Sequence, residues 1–180
     1  MAKDNTLICI IILLIGIIIY LSATILTGVN EIPLSDNNII SNTSNNEIKW
    51  SVPDGFIKID SVSVEGNTVI ITKNCTGIIA QTSEERASGL ANALNNVTDT
   101  RPDVYESIAS VLQSFDIRME AVLVHRFESD TFFADAYFRI GNNLLQLDMK
   151  PSDAMAIALR QGSSIYYNQT LFEQLGENIC

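Results

Sequence analysis

Asp148 and Asp153 flank Pro151 in the run LDMKPSDAMAIALR, residues 147–160, and bring two carboxylates to one turn. Carboxylates gathered in this way are ligands for a hard divalent cation such as Mg or Mn, which activates a water and neutralises a phosphodiester. The same residues have an ordinary structural use, Asp148 as a salt-bridge partner and Asp153 as a helix-start acid favoured by the macrodipole. Lys150, Arg160 and, upstream, Arg101 are of the type that meets phosphate oxygens, an arginine in bidentate fashion. Paired instead with Asp148, Asp153 or Glu106, they would close a structural network. His125 is the only histidine, so any His-based nucleophile or general base depends on it. Lying mid-strand, it reads as an exposed or half-buried strand residue. Phe132, Phe133, Tyr137 and Phe138 are able to stack on bases, but aromatic residues favour strands, and we read them as sheet core and subunit contacts. The chain contains no Gly-rich phosphate loop, GxSxG elbow, HExxH or CxxC motif, which removes several enzyme classes.

The elements that must position these groups follow from pattern. Leu145, Leu147 and Met149 alternate as a strand does. Pro151 cannot continue a ladder but suits a first helical turn, and Ser152 and Asp153 satisfy free amides there. An alanine-rich helix then runs to Gln161, with Gly162 at the place of a helix-ending glycine. Upstream, Phe56–Val64 and Thr68–Thr72 read as a hairpin turning at Glu65-Gly66-Asn67, and Gly77–Ala80 as a third short strand. Thr82-Ser83-Glu84-Glu85 has the capping-box pattern. The helix it opens runs to about Asn95, burying Ala87, Leu90, Ala91 and Leu94. A second helix spans Pro102 to Phe115 with Val104, Ile108, Val111 and Leu112 inward. Ile117–Phe127 and Thr131–Ile140 form a long hairpin, Gly141-Asn142-Asn143 turns into the strand ending at Met149, and a short strand at Ile165–Tyr167 precedes a helical turn near Leu171–Leu175. Strands and helices do not alternate strictly, so the expected class is α+β with a mostly antiparallel sheet and about three helices.

The 147–160 run resembles the signature of the bifunctional nuclease domain family, hydrophobic-Asp-x-Arg-Pro-Ser-Asp-Ala followed by an alanine-rich helix ending in Arg. Asp148, Pro151, Ser152, Asp153, Ala154, Ala158 and Arg160 fit it, with Lys150 in place of the family's Arg. Gly162, Ile165 and Tyr166 follow the family's next strand, Ser164 replacing a Pro. Thr131-Phe132-Phe133-Ala134 is similar to the family's Thr-Phe-Tyr-Ala strand. Thr100-Arg101-Pro102 resembles its earlier Arg-Pro, after which Val104-Tyr105-Glu106 stands where the family has a Thr-His-Asp-like triplet. The resemblance covers about residues 56–176. It implies an α+β domain, self-association and, for some members, hydrolysis of DNA and RNA. It further implies Asp148 and Asp153 as metal-holding catalytic acids with Glu106 as a third, and Arg101, Lys150 and Arg160 as phosphate-positioning cations.

Composition sets the surroundings. The chain has 180 residues, 47% of them hydrophobic, enough for one globular domain and an appendage. Residues 7–26, LICIIILLIGIIIYLSATIL, are uncharged and of the length that crosses a bilayer. Without an Ala-x-Ala-like exit, they read as a retained single-pass anchor rather than a cleaved signal peptide. The expected layout is an anchor at 1–27, a flexible Asn- and Ser-rich tether at 28–47 and the α+β domain at 48–180. Lys3 before the span, and no cation after it until Lys49, place the domain on the extracytoplasmic side. Cys9 lies in the span, so at most Cys75 and Cys180 can pair; the expectation is one buried and one frayed free thiol. The net charge of −10, with the cations scattered among more numerous acids, argues against high-affinity, non-specific nucleic-acid binding and leaves room for a local basic cleft. Two functions stand against each other: a membrane-anchored nuclease acting on DNA or RNA with Mg or Mn, and a non-catalytic, homo-oligomeric binding or regulatory module at the membrane surface.

Overall fold

The structure is a computed structural model that describes residues 39–40, 49–98 and 100–180; the apolar span at 7–26 lies outside them. No helix among the described residues is long and apolar enough to cross a membrane. The strands are β1 (Ile39–Ile40), β2 (Phe56–Lys58), β3 (Ser61–Glu65), β4 (Thr68–Lys73), β5 (Thr76–Gln81), β6 (Ile117–Glu128), β7 (Thr131–Ile140), β8 (Asn143–Met149), β9 (Ser164–Asn168) and β10 (Glu177–Asn178). The helices are α1 (Glu84–Leu94), α2 (Val104–Ser114), α3 (Pro151–Gln161) and α4 (Gln169–Leu175). The class is α+β, with four helices among the described residues against the expected three, because the turn near Leu171 is a full helix capped by the Asn168 side chain. Ile39–Ile40, within the stretch expected as a tether, pair with β8.

The β6–β7 hairpin is the centre of a six-stranded sheet ordered β1-β8-β7-β6-β9-β2. Only β6 and β9 run parallel, since α3 carries the chain across between β8 and β9. The hairpin closes through Ser129 and Asp130, both at positive φ (50° and 57°), the handedness that a two-residue turn needs to match strand twist. A second sheet, β10-β5-β4-β3, is wholly antiparallel.

The expected continuous strand from Phe56 to Val64 is broken in two, and the pieces belong to different sheets. Ile59 N–H still donates to Ile165 of the first sheet (3.1 Å), whereas Asp60 N–H donates to Thr72 of the second (2.8 Å). Strand composition marks extended backbone but does not name the partner.

Period-2 alternation then sorts the first sheet. Val122, Val124, Ala134, Ala136, Phe138, Ile165 and Tyr167 are buried on one face beneath the helices. Five consecutive residues of α3, Ala154 to Ala158, three of them alanines, are almost wholly buried, so α3 packs close to the sheet. Gly162 ends it in the left-handed conformation (φ 68°), with Ser163 N–H donating to Ala158 O at 2.8 Å.

Two expectations about packing hold only in part. In α1, Ala87 and Leu90 are buried and Leu94 packs half-buried against the core as expected, but Gly89 and Ala93 are buried too while Ala91 is only half-buried. In α2, Leu112 packs against the core as expected, but Val104 (58% exposed), Ile108 and Val111 (53% exposed) face outward, and Tyr105 is the buried residue. The phenol takes the contact with the other helices, which rotates the more apolar row away. The cysteine expectation is also overturned. Cys75 and Cys180 are joined by a disulfide, Cα–Cα 5.2 Å, because β10 pairs with β5 and lays Ile179 beside Gly77.

Candidate phosphate cleft and the Tyr105–Asp153–Arg86 cluster

Lys150 occupies the cap position of α3 in extended conformation and makes no side-chain capping bond. The first-turn amides of that helix therefore lack a side-chain acceptor from the cap residue. A cleft of about 450 Å³ opens there. Lys150, Pro151 and Ser152 form one side of it, and Thr82, Ser83 and Arg86 at the start of α1 form another. Val69, Ile71 and Ala80 of the second sheet supply an apolar wall, and the Asp130–Thr131 turn and Phe132 close the end.

Arg86 is the link to a second, smaller cavity of about 290 Å³ between α1, α2 and α3. Its Nε donates to Asp153 Oδ1 (3.1 Å) and its Nη1 to Ser83 Oγ (3.2 Å). Tyr105 Oη donates to the same Asp153 oxygen at 2.7 Å. Burial, then the bond to Asp153, pushes the Tyr105 hydroxyl well above the usual phenol range, so it stays a donor at any physiological pH. Asp153 thus acts as a bracket holding the Arg86 guanidinium, two-thirds buried, where it borders both cavities.

The structure does not bring Asp148 and Asp153 together. Asp148 is opposite Asp135 across the β7–β8 ladder, on the face away from the helices, whereas Leu147 and Met149 pack into the helix-covered core. Asp153 lies past the Pro151 turn among the helices. Asp148 is exposed on the far face of β8, whereas the Asp153 carboxylate is taken up by Tyr105 and Arg86 among the helices, so the two acids do not present one ligand set for the expected Mg or Mn. No cluster of three His, Cys, Asp or Glu able to hold a metal occurs among the described residues. Around Asp148, Gln146 Nε2 donates to Asp135 Oδ2 (2.8 Å), and His125 Nε2 comes within 3.5 Å of that oxygen, an ion-pair distance without a hydrogen bond. His125 is half-buried, as expected.

Of the expected cations, only Lys150 borders the cleft. Arg160, its side chain 7% exposed, clamps Asp103 Oδ2 (3.1 Å) and the Val97 carbonyl (3.4 Å), tying the loop before α2 to the end of α3. Arg101 is exposed on that loop. Glu106 lies in the first turn of α2 with Oε2 buried and without a hydrogen-bond partner. The aromatic residues of β7 divide by alternation: Phe132 and Phe138 pack on the core, Tyr137 stacks with Trp50 (5.3 Å) and Phe133 lies under Arg126 (3.9 Å) on the other face.

Arg86 is the residue that sequence reasoning missed. Its signal was electrostatic: a cation in the first turn of a helix opposes the macrodipole and calls for a nearby acid. The capping-box pattern drew attention to the neighbouring glutamates instead, while the actual cap is Ser83, accepting from Arg86 N–H.

Residues 73–179 match the bifunctional nuclease domain family. The chain is also similar to two uncharacterized proteins of Mycobacterium tuberculosis, one from strain CDC 1551 / Oshkosh and one from strain ATCC 25618 / H37Rv. Each is 27% identical over 93 residues, 52% of this chain and 55% of the relative. The matched stretch thus spans about half the length of these relatives.

Proposed function

The chain belongs to the bifunctional nuclease domain family, and on that footing we propose that it is a membrane-anchored phosphodiester hydrolase that takes DNA or RNA at the cleft above α3. One observation carries the reading: Lys150, Arg86 and the α3 first turn, left without a side-chain cap, converge on a single concavity. Fixed positive groups at a helix start are suited to a phosphodiester, whose charge grows as it is attacked. Arg86 offers a planar donor set already oriented by Asp153 and Ser83, and Lys150 a point charge on a flexible stem. Asp153 acts here as a positioning residue. The reading assigns no step to a metal held between Asp148 and Asp153.

The anchor is residues 7–26 and the domain is extracytoplasmic. The Cys75–Cys180 disulfide supports that side, because such bonds persist in oxidising compartments. Self-association uses the outward row of α2, where Val104, Val111 and Phe115 (74% exposed) form an apolar face that a soluble monomer rarely leaves bare.

The test is cleavage of labelled single-stranded DNA and RNA by the full chain with Mg, with Mn and with EDTA, beside Arg86→Ala and Lys150→Ala. Loss of cleavage in both variants supports the reading. Cleavage that is absent throughout, or indifferent to both substitutions, overturns it. The outward α2 row also favours the second reading, a non-catalytic oligomeric module. Stable oligomers without cleavage under any condition would establish that one.

A further inference from the structure

The cleft lining is divided by chemistry. Its apolar lining, the wall of Val69, Ile71 and Ala80 together with Phe132 and Tyr167, serves as a floor for a ligand, while Lys150 and Ser152 stand as a polar rim. Phe132 is held in place by neighbouring rings, 4.5 Å from Phe127 and 6.3 Å from Tyr167 between centroids. A phosphate alone needs the rim and has no use for the floor. A volume of about 450 Å³ lies within the range of roughly 300–1,000 Å³ typical of small-ligand pockets.

Paired duplex cannot use such a site. It presents phosphates outward and keeps its bases stacked, so no apolar face is available to enter a concavity. An unstacked base has one, and base–aromatic stacking is how proteins hold it. The charge balance agrees. With a net charge of −10 and Asp130 on the rim, the surface does not favour long tracts of backbone. A single well-seated nucleotide needs only the local cations.

We infer that the cleft seats one unstacked nucleotide, its base on the Phe132–Ala80 floor and its phosphodiester over Lys150 and the first turn of α3. The substrate is then single-stranded or frayed nucleic acid, not paired duplex. This rests on the proposed arrival of a phosphodiester at the same cleft.

The experiment is equilibrium binding, by fluorescence anisotropy, of labelled oligothymidylate to the full chain in EDTA and low salt. The comparison ligand is the same strand annealed to its complement. Ala80→Trp fills the floor without touching a cation. Single strand is expected to bind at least about tenfold more tightly than duplex, the scale of one base–aromatic stack, and Ala80→Trp to abolish that difference. Unlabelled thymidine monophosphate, added as competitor, separates the two sources of the ligand. Displacement at low millimolar levels marks a free-nucleotide site, and no displacement marks a site for strands; either fits the seat. Should Ala80→Trp fail to fold, as judged by its melting curve, Thr131→Trp at the cleft end replaces it. Equal affinity for single strand and duplex, no binding of either, or wild-type binding by a folded plugged variant overturns the inference. Binding preference without cleavage would leave it standing and remove the hydrolase reading. Cleavage without strand preference would do the reverse.

Discussion

Tyr105 and Asp153 meet across the α2–α3 contact through a 2.7 Å hydrogen bond, and the oxygen that accepts it also holds Arg86 Nε. Two helices are therefore joined through the acid that orients a cleft cation. Tyr105→Phe keeps the ring packing and removes only the donor. It should cost about 1.5–3 kcal/mol of stability, the net worth of a hydrogen bond to a charged group. Asp153, held by one partner fewer, should fix the Arg86 guanidinium less firmly and loosen its grip on substrate, raising KM more than it lowers kcat. Unchanged melting and unchanged KM would show that the bond positions nothing.

Gly89 offers a change whose sign is opposite to the usual one. Alanine for glycine inside a helix ordinarily stabilises by roughly 0.5–1 kcal/mol. Here a Cβ at position 89 would fall 2.2 Å from Tyr105 Cε2, so the ring must move and drag its hydroxyl from Asp153. Gly89→Ala should destabilise by about 1–3 kcal/mol, as overpacking does. Chemical denaturation would read this directly, and a more stable Gly89→Ala protein would contradict the packing described.

Alkaline unfolding gives a third check. Burial, with the Asp153 bond, raises the Tyr105 hydroxyl above its ordinary value of 10.0, and burial alone raises Tyr167. Between that value and the folded-state one, the unfolded chain has released protons that the folded chain still holds. Stability is thus full below about pH 10 and declines as pH rises above it. Tyr105→Phe should flatten part of that decline. A stability curve level from pH 9 to 12 would argue against both burials.

Removing the disulfide should be the most costly of these changes. Cys75→Ser opens a loop with a sequence separation of 105, and loss of a native bond in a small domain costs about 2–5 kcal/mol. Reductant should lower the melting temperature of the wild type and leave the variant unmoved. Equal melting of both, with and without reductant, would mean the bond contributes nothing.

The sequence carried the α+β class and the corner at Pro151 plainly, because alternation at Leu145–Met149 and the run of alanines after it are local signals. It could not show that the chain changes sheets between Ile59 and Asp60, since Thr72 belongs to the expected hairpin but Ile165, the partner of the first piece, lies far along the chain. The outward row of α2 defeated periodicity for a similar reason. An apolar stripe looks the same whether it faces the core or water, and only the long-range fit of Tyr105 beside Gly89 decides. At the site, the signature itself points to Lys150. Asp148 and Asp153 are close in sequence, yet strand alternation sends Asp148 to the far face. Arg86 is separated from Asp153 by 67 positions, beyond the reach of any spacing rule.

The Cys75–Cys180 bond makes the stretch between those residues a closed ring, and Arg86, Tyr105, Lys150 and Asp153 all lie on it. A protease that nicks the exposed Ser129–Asp130 turn would therefore yield two fragments still bound to each other. The nicked protein would run as one species until a thiol is added.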